Sequence, residues 1–386
     1  MALRFPILMA AGAIGLAALA ASAQSAQPSA AQQALAYEQQ GQWKDAETAW
    51  RQAIAQNPRD PAASGHLGIV LAREGDYAGA ADAYRHALAL DPRMTGLQLN
   101  LGLALFKQGK LQEAISPLKT AAAAAPGDAQ PRILLAMSYF GSAQYAAALP
   151  YLRYAVEKSP QNQELRSVLA QACLYAKQFA CTLEQYKQIV AANPDSAPAH
   201  MLAGEADDGL NHTGDAVAEF QAAAKVAPTE PNVHFGLGYL LWKQHKYDEA
   251  AQEFQLELAN DPDHAQALAY LGDSQTKLNQ NGQAEATLEK AVQVPGATRM
   301  AWVDLGIVLA GAGKNGEAAA DFQHAIQMDP SQVDAHWQLA RLYRSEGKRT
   351  EAQAEFAKAS ALNQKQDQSL VQQMTPKSSP SATQPK

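Results

Sequence analysis

The sequence predicts an all-α fold, a superhelix of stacked helix pairs, on three observations. A 34-residue skeleton recurs ten times from Gln27 to Gln366 and keeps register without an insertion. Within each copy, as in Pro61–Met94, two stretches with apolar residues at helical spacing are split by a turn signal, Gly75-Asp76, and closed by Asp91-Pro92. Two positions of the skeleton are kept small where a third is always large. An array of this kind buries apolar surface only between neighbours, so the chain length does not call for separate globular domains.

Counting each copy from 1, with Pro61 as position 1 of the second, position 8 is Gly or Ala throughout: Ala34, Gly68, Gly102, Ala136, Ala170, Gly204, Gly238, Gly272, Gly306 and Ala340. Position 20 is Ala in all copies but one, where Thr182 stands. Position 24 is large and apolar, from Trp50 and Tyr84 to Phe322 and Phe356. Small residues let two helices approach, and the large one fills the space they leave, as dense interiors require. Position 27 is Ala in eight copies, where the second helix passes the next repeat, and Pro at position 32 ends the unit.

Leu67-Gly68, Ala80, Tyr84, Ala87 and Pro92 stand where the tetratricopeptide repeat (TPR) family has its Leu-Gly, Ala, aromatic, Ala and Pro. The chain resembles that family over about 340 of its 386 residues. The family's first-helix Trp and Tyr are mostly replaced; Trp302 keeps the former, Tyr139 and Tyr343 the latter. The resemblance implies a TPR solenoid of about ten helix-turn-helix repeats that binds protein and carries no cofactor. Some members clamp a C-terminal carboxylate with Lys, Arg and Asn. The matching positions here hold Gly65, Ile69, Asn100, Gln130 and Leu134, of which only Asn100 fits, so that specificity is not carried over.

Residues 1–23 read as a signal peptide: Arg4, an apolar run from Phe5 to Ala20, then Ala21-Ser22-Ala23 as a small-residue cleavage site. The alternative is an uncleaved N-terminal membrane anchor, for which the run is short. Periplasmic or secreted localisation follows, with no membrane span after cleavage. The repeats then occupy 27–60, 61–94, 95–128, 129–162, 163–196, 197–230, 231–264, 265–298, 299–332 and 333–366. Gln33 makes the first helix polar, as an end cap needs. The fifth repeat holds both cysteines, Cys173 and Cys181, flanking its inter-helix turn, a possible disulfide in an exported protein. In the sixth, Asp207 falls at an interior position beside Asp208 and Gly209; it reads as a frayed, water-exposed helix end, the alternative being an acidic spot in a groove. Glu257 replaces the Ala of position 27 in the seventh without evident reason. The tenth lacks its Pro, and Leu370, Val371 and Met374 suggest a short capping helix before a disordered, Pro-rich tail; 367–386 is cap and tail.

Net charge is −7 and no Lys/Arg cluster occurs, which argues against nucleic acid or anionic lipid as main partners. At about 100° per residue, positions 4, 7, 8 and 11 share the face that packs on the partner helix. Positions 2, 5, 9, 12 and 13 lie on the far side, the concave face of a stacked superhelix. A merely solvated face would be polar. This one carries Leu99, Leu103, Phe106, Ile133, Met137, Phe140, Leu174, Tyr175, Phe235, Tyr239 and Trp242, which mark a groove for a peptide or helix of a partner. The competing reading is ordinary packing of adjacent first helices.

His200, His234 and His336 share position 4, but none of the histidines has the i, i+4 spacing with Glu of a zinc helix. They read as partly buried replacements of a bulky residue, with no metal site and no cofactor. No nucleophile elbow, triad order or phosphate-cradling Gly loop is legible. Asn211-His212-Thr213 is a sequon of little weight in so Ala/Gln-rich a chain. The expectation is therefore a non-catalytic protein-protein interaction scaffold exported to the cell envelope. The alternatives are a metal-dependent or enzymatic module across repeats six and seven (Asp207, Asp208, His200, His234) and a self-associating structural protein.

Overall fold

The computed structural model describes residues 28–374, with side chains placed through Gln368, and shows twenty α-helices and no strand among them. They fall two to a repeat: α1 (Ala30–Gln39), α2 (Trp43–Gln56), α3 (Pro61–Glu74), α4 (Tyr77–Leu90), α5 (Gly96–Lys107), α6 (Leu111–Ala124), α7 (Gln130–Gly141), α8 (Tyr145–Lys158), α9 (Gln163–Tyr175) and α10 (Phe179–Ala192). There follow α11 (Ala197–Gly209), α12 (Thr213–Val226), α13 (Val233–Lys243), α14 (Tyr247–Asn260), α15 (Ala265–Lys277), α16 (Asn281–Ala291), α17 (Arg299–Gly311), α18 (Asn315–Met328), α19 (Val333–Ser345) and α20 (Arg349–Met374). None is long and apolar enough to cross a membrane. The signal-peptide and tail expectations, residues 1–23 and 375–386, lie outside the described residues.

The chain divides into two compact units, one ending at Gln185 and one beginning at Tyr186. In each, the small-large pairing of positions 8 and 24 is the contact that sets helix spacing. A methyl group on Gly68 would come within 2.5 Å of the Tyr84 ring, on Gly102 within 2.5 Å of Leu118, on Gly238 within 2.7 Å of Phe254. Tyr84, Leu118 and Phe254 are themselves fully buried and cannot swing away. Position 20 alanines, Ala80, Ala114 and Ala250 among them, are likewise sealed. In the first unit α3 touches α5 and α5 touches α7; in the second α11, α13, α15, α17 and α19 touch in succession.

The turn between paired helices has one geometry. Position 15 adopts a left-handed backbone in every repeat, φ running from 57° to 88°. Gly41, Gly75, Gly109, Gly313 and Gly347 accept this freely. Ala143, Lys177, Asn211, His245 and Asn279 hold it in repeats four to eight.

Two readings are corrected, those of Asp207 and of the position-4 histidines. Asp207 does not sit in a frayed end: α11 continues to Gly209, and Asp207 is buried, facing His212 Nδ1 at 3.3 Å. The segment read as a terminal cap continues the last helix, α20 running unbroken from Arg349 to Met374. Position 32 of that repeat is Gln364, not Pro, so nothing interrupts the backbone hydrogen bonds there. Position-4 histidines are more than bulky substitutes. His200, His234 and His336 each meet a glutamate of the second helix in their own repeat, Glu219, Glu253 and Glu355, at 2.6, 2.7 and 2.6 Å.

Candidate binding surfaces

In the first unit the outward positions of α5 and α7 form an apolar face. Leu99, Leu103, Phe106, Ile133, Met137 and Phe140 are half-buried, packed at their base against the unit's core. Leu174 was expected beside them but is buried, 6% exposed, and contributes to the core instead. Tyr175 is 53% exposed. Its ring meets Tyr145 at 4.7 Å, and Tyr145 meets Phe140 at 5.5 Å, so an aromatic chain links α7, α8 and α9. Tyr145 opens a second helix, where the helical phase of the first helices gives no sign of it. Below Leu103 a cleft of about 20 Å³, lined by Tyr77, Tyr84, Asn100 and Lys107, holds no more than one water. The Sγ atoms of Cys173 and Cys181 lie 2.01 Å apart, joining α9 to α10 across the turn.

The second unit carries a different face. On α13, Phe235, Tyr239 and Trp242 follow one another at 6.4 and 6.2 Å, and Tyr270 of α15 closes on Tyr239 at 5.5 Å and on Trp242 at 5.0 Å. All four are half-buried. Polar groups are woven through them. The Trp242 indole donates to Asp273 Oδ2 (2.6 Å), which is also 3.6 Å from Lys277 on its other oxygen. Lys243 pairs with Asp208 at 2.5 Å, and Arg299 grips Asp334 through two bonds of 2.6 and 2.7 Å. Asp304 of α17 has a buried Oδ2 with no hydrogen-bond partner. Its burial, reinforced by the negative charge of Asp273, pushes its carboxyl up to about 8. Burial, with Asp273 and Asp304 nearby, also pushes the Tyr270 phenol up.

Tyr270, Asp273 and Asp304 escaped sequence reasoning. Asp273 occupies position 9, where a carboxylate reads as ordinary solvation of a face marked by its apolar residues; Tyr270 and Asp304 share position 6, which falls between the two faces.

The start of α13 explains Glu257. Asn232, at the N-terminal boundary of that helix, has φ of 68° and its side chain caps nothing. The fully buried Glu257 carboxylate does so from α14, accepting from the backbone N–H groups of Asn232 (2.8 Å) and Phe235 (3.1 Å).

The four groups proposed for a metal-dependent alternative are not brought together. His200 is held by Glu219 and the Pro194 carbonyl, His234 by Glu253 and Asp208 by Lys243. Asp207 instead lies with His212 and Asp215, their ligand atoms within 4.8 Å of one another. Burial and the charge of Asp215 raise the Asp207 carboxyl against the opposing hydrogen bond with His212.

Family profiles of the tetratricopeptide repeat match residues 31–95, 202–265, 241–299 and 271–333 in one version and 71–138, 139–206 and 309–374 in another. The chain belongs to the tetratricopeptide repeat family, whose stacked helix pairs serve as scaffolds for protein–protein interaction. No curated protein matches it in sequence. Among solved structures, MamA is 20% identical over 43% of this chain and 96% of its own, with a TM-score of 0.40. YrrB, described as a TPR protein with an unusual peptide-binding site, is 21% identical over 49% of this chain and 98% of its own, at 0.41. Yeast Tom70 is 13% identical over 86% and 91%, at 0.39. Likenesses at this level carry nothing about partners.

Proposed function

We propose that the protein is a non-catalytic scaffold, exported to the cell envelope, that holds a peptide or helix of a partner protein on the face of its first helices left open by helix pairing. One observation carries this reading. Phe106, Phe140, Phe235, Tyr239 and Trp242 remain half-buried after each unit has packed its core, so folding leaves part of their apolar surface in water. Covering that surface is favourable by roughly 25 cal/mol per Å², and clustered aromatics are the usual anchors of such contacts. Export rests on the residues of Met1–Ala23 alone.

Crosslinking in the native cell followed by mass spectrometry tests both parts. Wild-type protein is expected in the envelope or medium, beginning at Gln24, with a reproducible crosslinked partner. The triple variant Phe106→Ala, Phe140→Ala, Trp242→Ala, with unchanged helicity by circular dichroism, is expected to lose it. A partner retained by the folded triple variant overturns the binding face; an intact Met1 terminus overturns the cleaved signal.

A further inference from the structure

Resting on that reading, the second unit's face says something further about what reaches it. Its cations are engaged: Arg299 is committed to Asp334 through two bonds, Lys243 to Asp208 and to the Tyr239 ring, 5.6 Å from its centroid, while Lys277 stands 3.6 Å from Asp273. Its acids are not balanced in the same way. Asp273 and Asp304 stand on α15 and α17; Lys277 meets Asp273 and reaches Asp304 only through its charge, and Asp304 Oδ2 is buried without a hydrogen-bond partner. The Trp242 and Tyr270 rings, 5.0 Å apart, stand on the Asp273 side, with the Trp242 indole bonded to that carboxylate. Ring faces and carboxylates both attract cations, and do so more strongly when water is kept out.

We infer that Trp242 and Tyr270, with Asp273 and Asp304, form a receptor for one positively charged side chain, a lysine or arginine of the bound peptide. The cation lies against the rings and is shared by the two carboxyls. Its arrival favours the ionised form of Asp304, so binding releases a proton near neutral pH and tightens as pH rises from 6 to 9.

Trp242 supplies the readout. Its indole N–H resonance, assigned by its absence in Trp242→Phe, is followed while the full chain is titrated with Nα-acetyl-arginine amide or Nα-acetyl-lysine amide at constant ionic strength. The citrulline and norleucine amides are the uncharged controls. A saturable shift with the charged amides alone is expected, weakened at least tenfold in Asp304→Asn and in Asp273→Asn. An equal shift with the uncharged controls, no shift with the charged amides, or an unaltered titration in a folded Asp304→Asn protein overturns the receptor. The cell crosslink reports separately: a partner lost by the triple variant while the charged amides leave the indole unmoved keeps the binding face and removes the cation.

Discussion

The outward faces of the two units are built on the same helix pairs and differ in kind. In repeats three and four, positions 5, 9 and 12 carry Leu99, Leu103, Phe106, Ile133, Met137 and Phe140, with no charge among them. In repeats seven to nine the rings of Phe235, Tyr239, Trp242 and Tyr270 are interleaved with Asp273 and Asp304. The contacts that set helix spacing are nevertheless the same in both, Gly102 on Leu118 in one and Gly238 on Phe254 in the other. Face chemistry thus varies between the two units where the packing positions do not.

The largest expected effect lies in the first unit. The hairpin of α9 and α10 carries the Cys173–Cys181 link, absent from any hairpin of the second. Closing so short a loop contributes about 2–3 kcal/mol, mainly by restricting the unfolded chain. Thiol titration of the unfolded, unreduced protein should find no reactive thiol, and Cys181→Ser should lower the urea midpoint accordingly. Two reactive thiols would remove the link and the asymmetry with it.

Next comes the pH response, which should belong to the second unit. The folded value of Asp304, about 8, lies above the unfolded one, so its favourable contribution is complete below about pH 4 and is lost as pH rises through 8. Stability should therefore fall between pH 6 and pH 9 in the wild type, and less so in Asp304→Asn. The variant should gain on the order of 1–3 kcal/mol over wild type at pH 9. Parallel urea midpoints for both proteins at the two pH values would refute the buried, unpartnered carboxyl.

The smallest effect erases a difference between repeats. Ala143 in the first unit and His245 in the second hold the left-handed turn that glycine takes elsewhere. Ala143→Gly and His245→Gly should each stabilise by about 0.5–1 kcal/mol, and Gly75→Ala should cost about 1 kcal/mol. Thermal melts that rank the substitutions in the opposite order would mean that contacts of the replaced side chains outweigh the backbone.

Much of the fold was legible because the pairing of positions 8 and 24 is a steric fact repeated at fixed spacing. What was not legible depends on partners remote in sequence. Glu257 is conspicuous as a departure, yet its reason is the uncapped start of α13 more than twenty residues earlier. Asp207 looked too polar for an interior place, but His212 faces it five residues on. The His–Glu pairs recur at a constant separation of nineteen residues and could have been found by comparing positions 4 and 23 across repeats. Leu174 was placed on the open face by helical phase alone, and the core takes it. Asp304 gives no such signal: an aspartate at position 6 differs from a solvated one only by what surrounds it.

The grip of Glu257 on the first turn of α13 has a bearing on Phe235, whose own N–H it holds. That aromatic stands on a segment anchored from a neighbouring helix, so its backbone has little freedom left to lose when something settles against it. An encounter there starts from a preorganised surface, and the cost of ordering it has been met during folding.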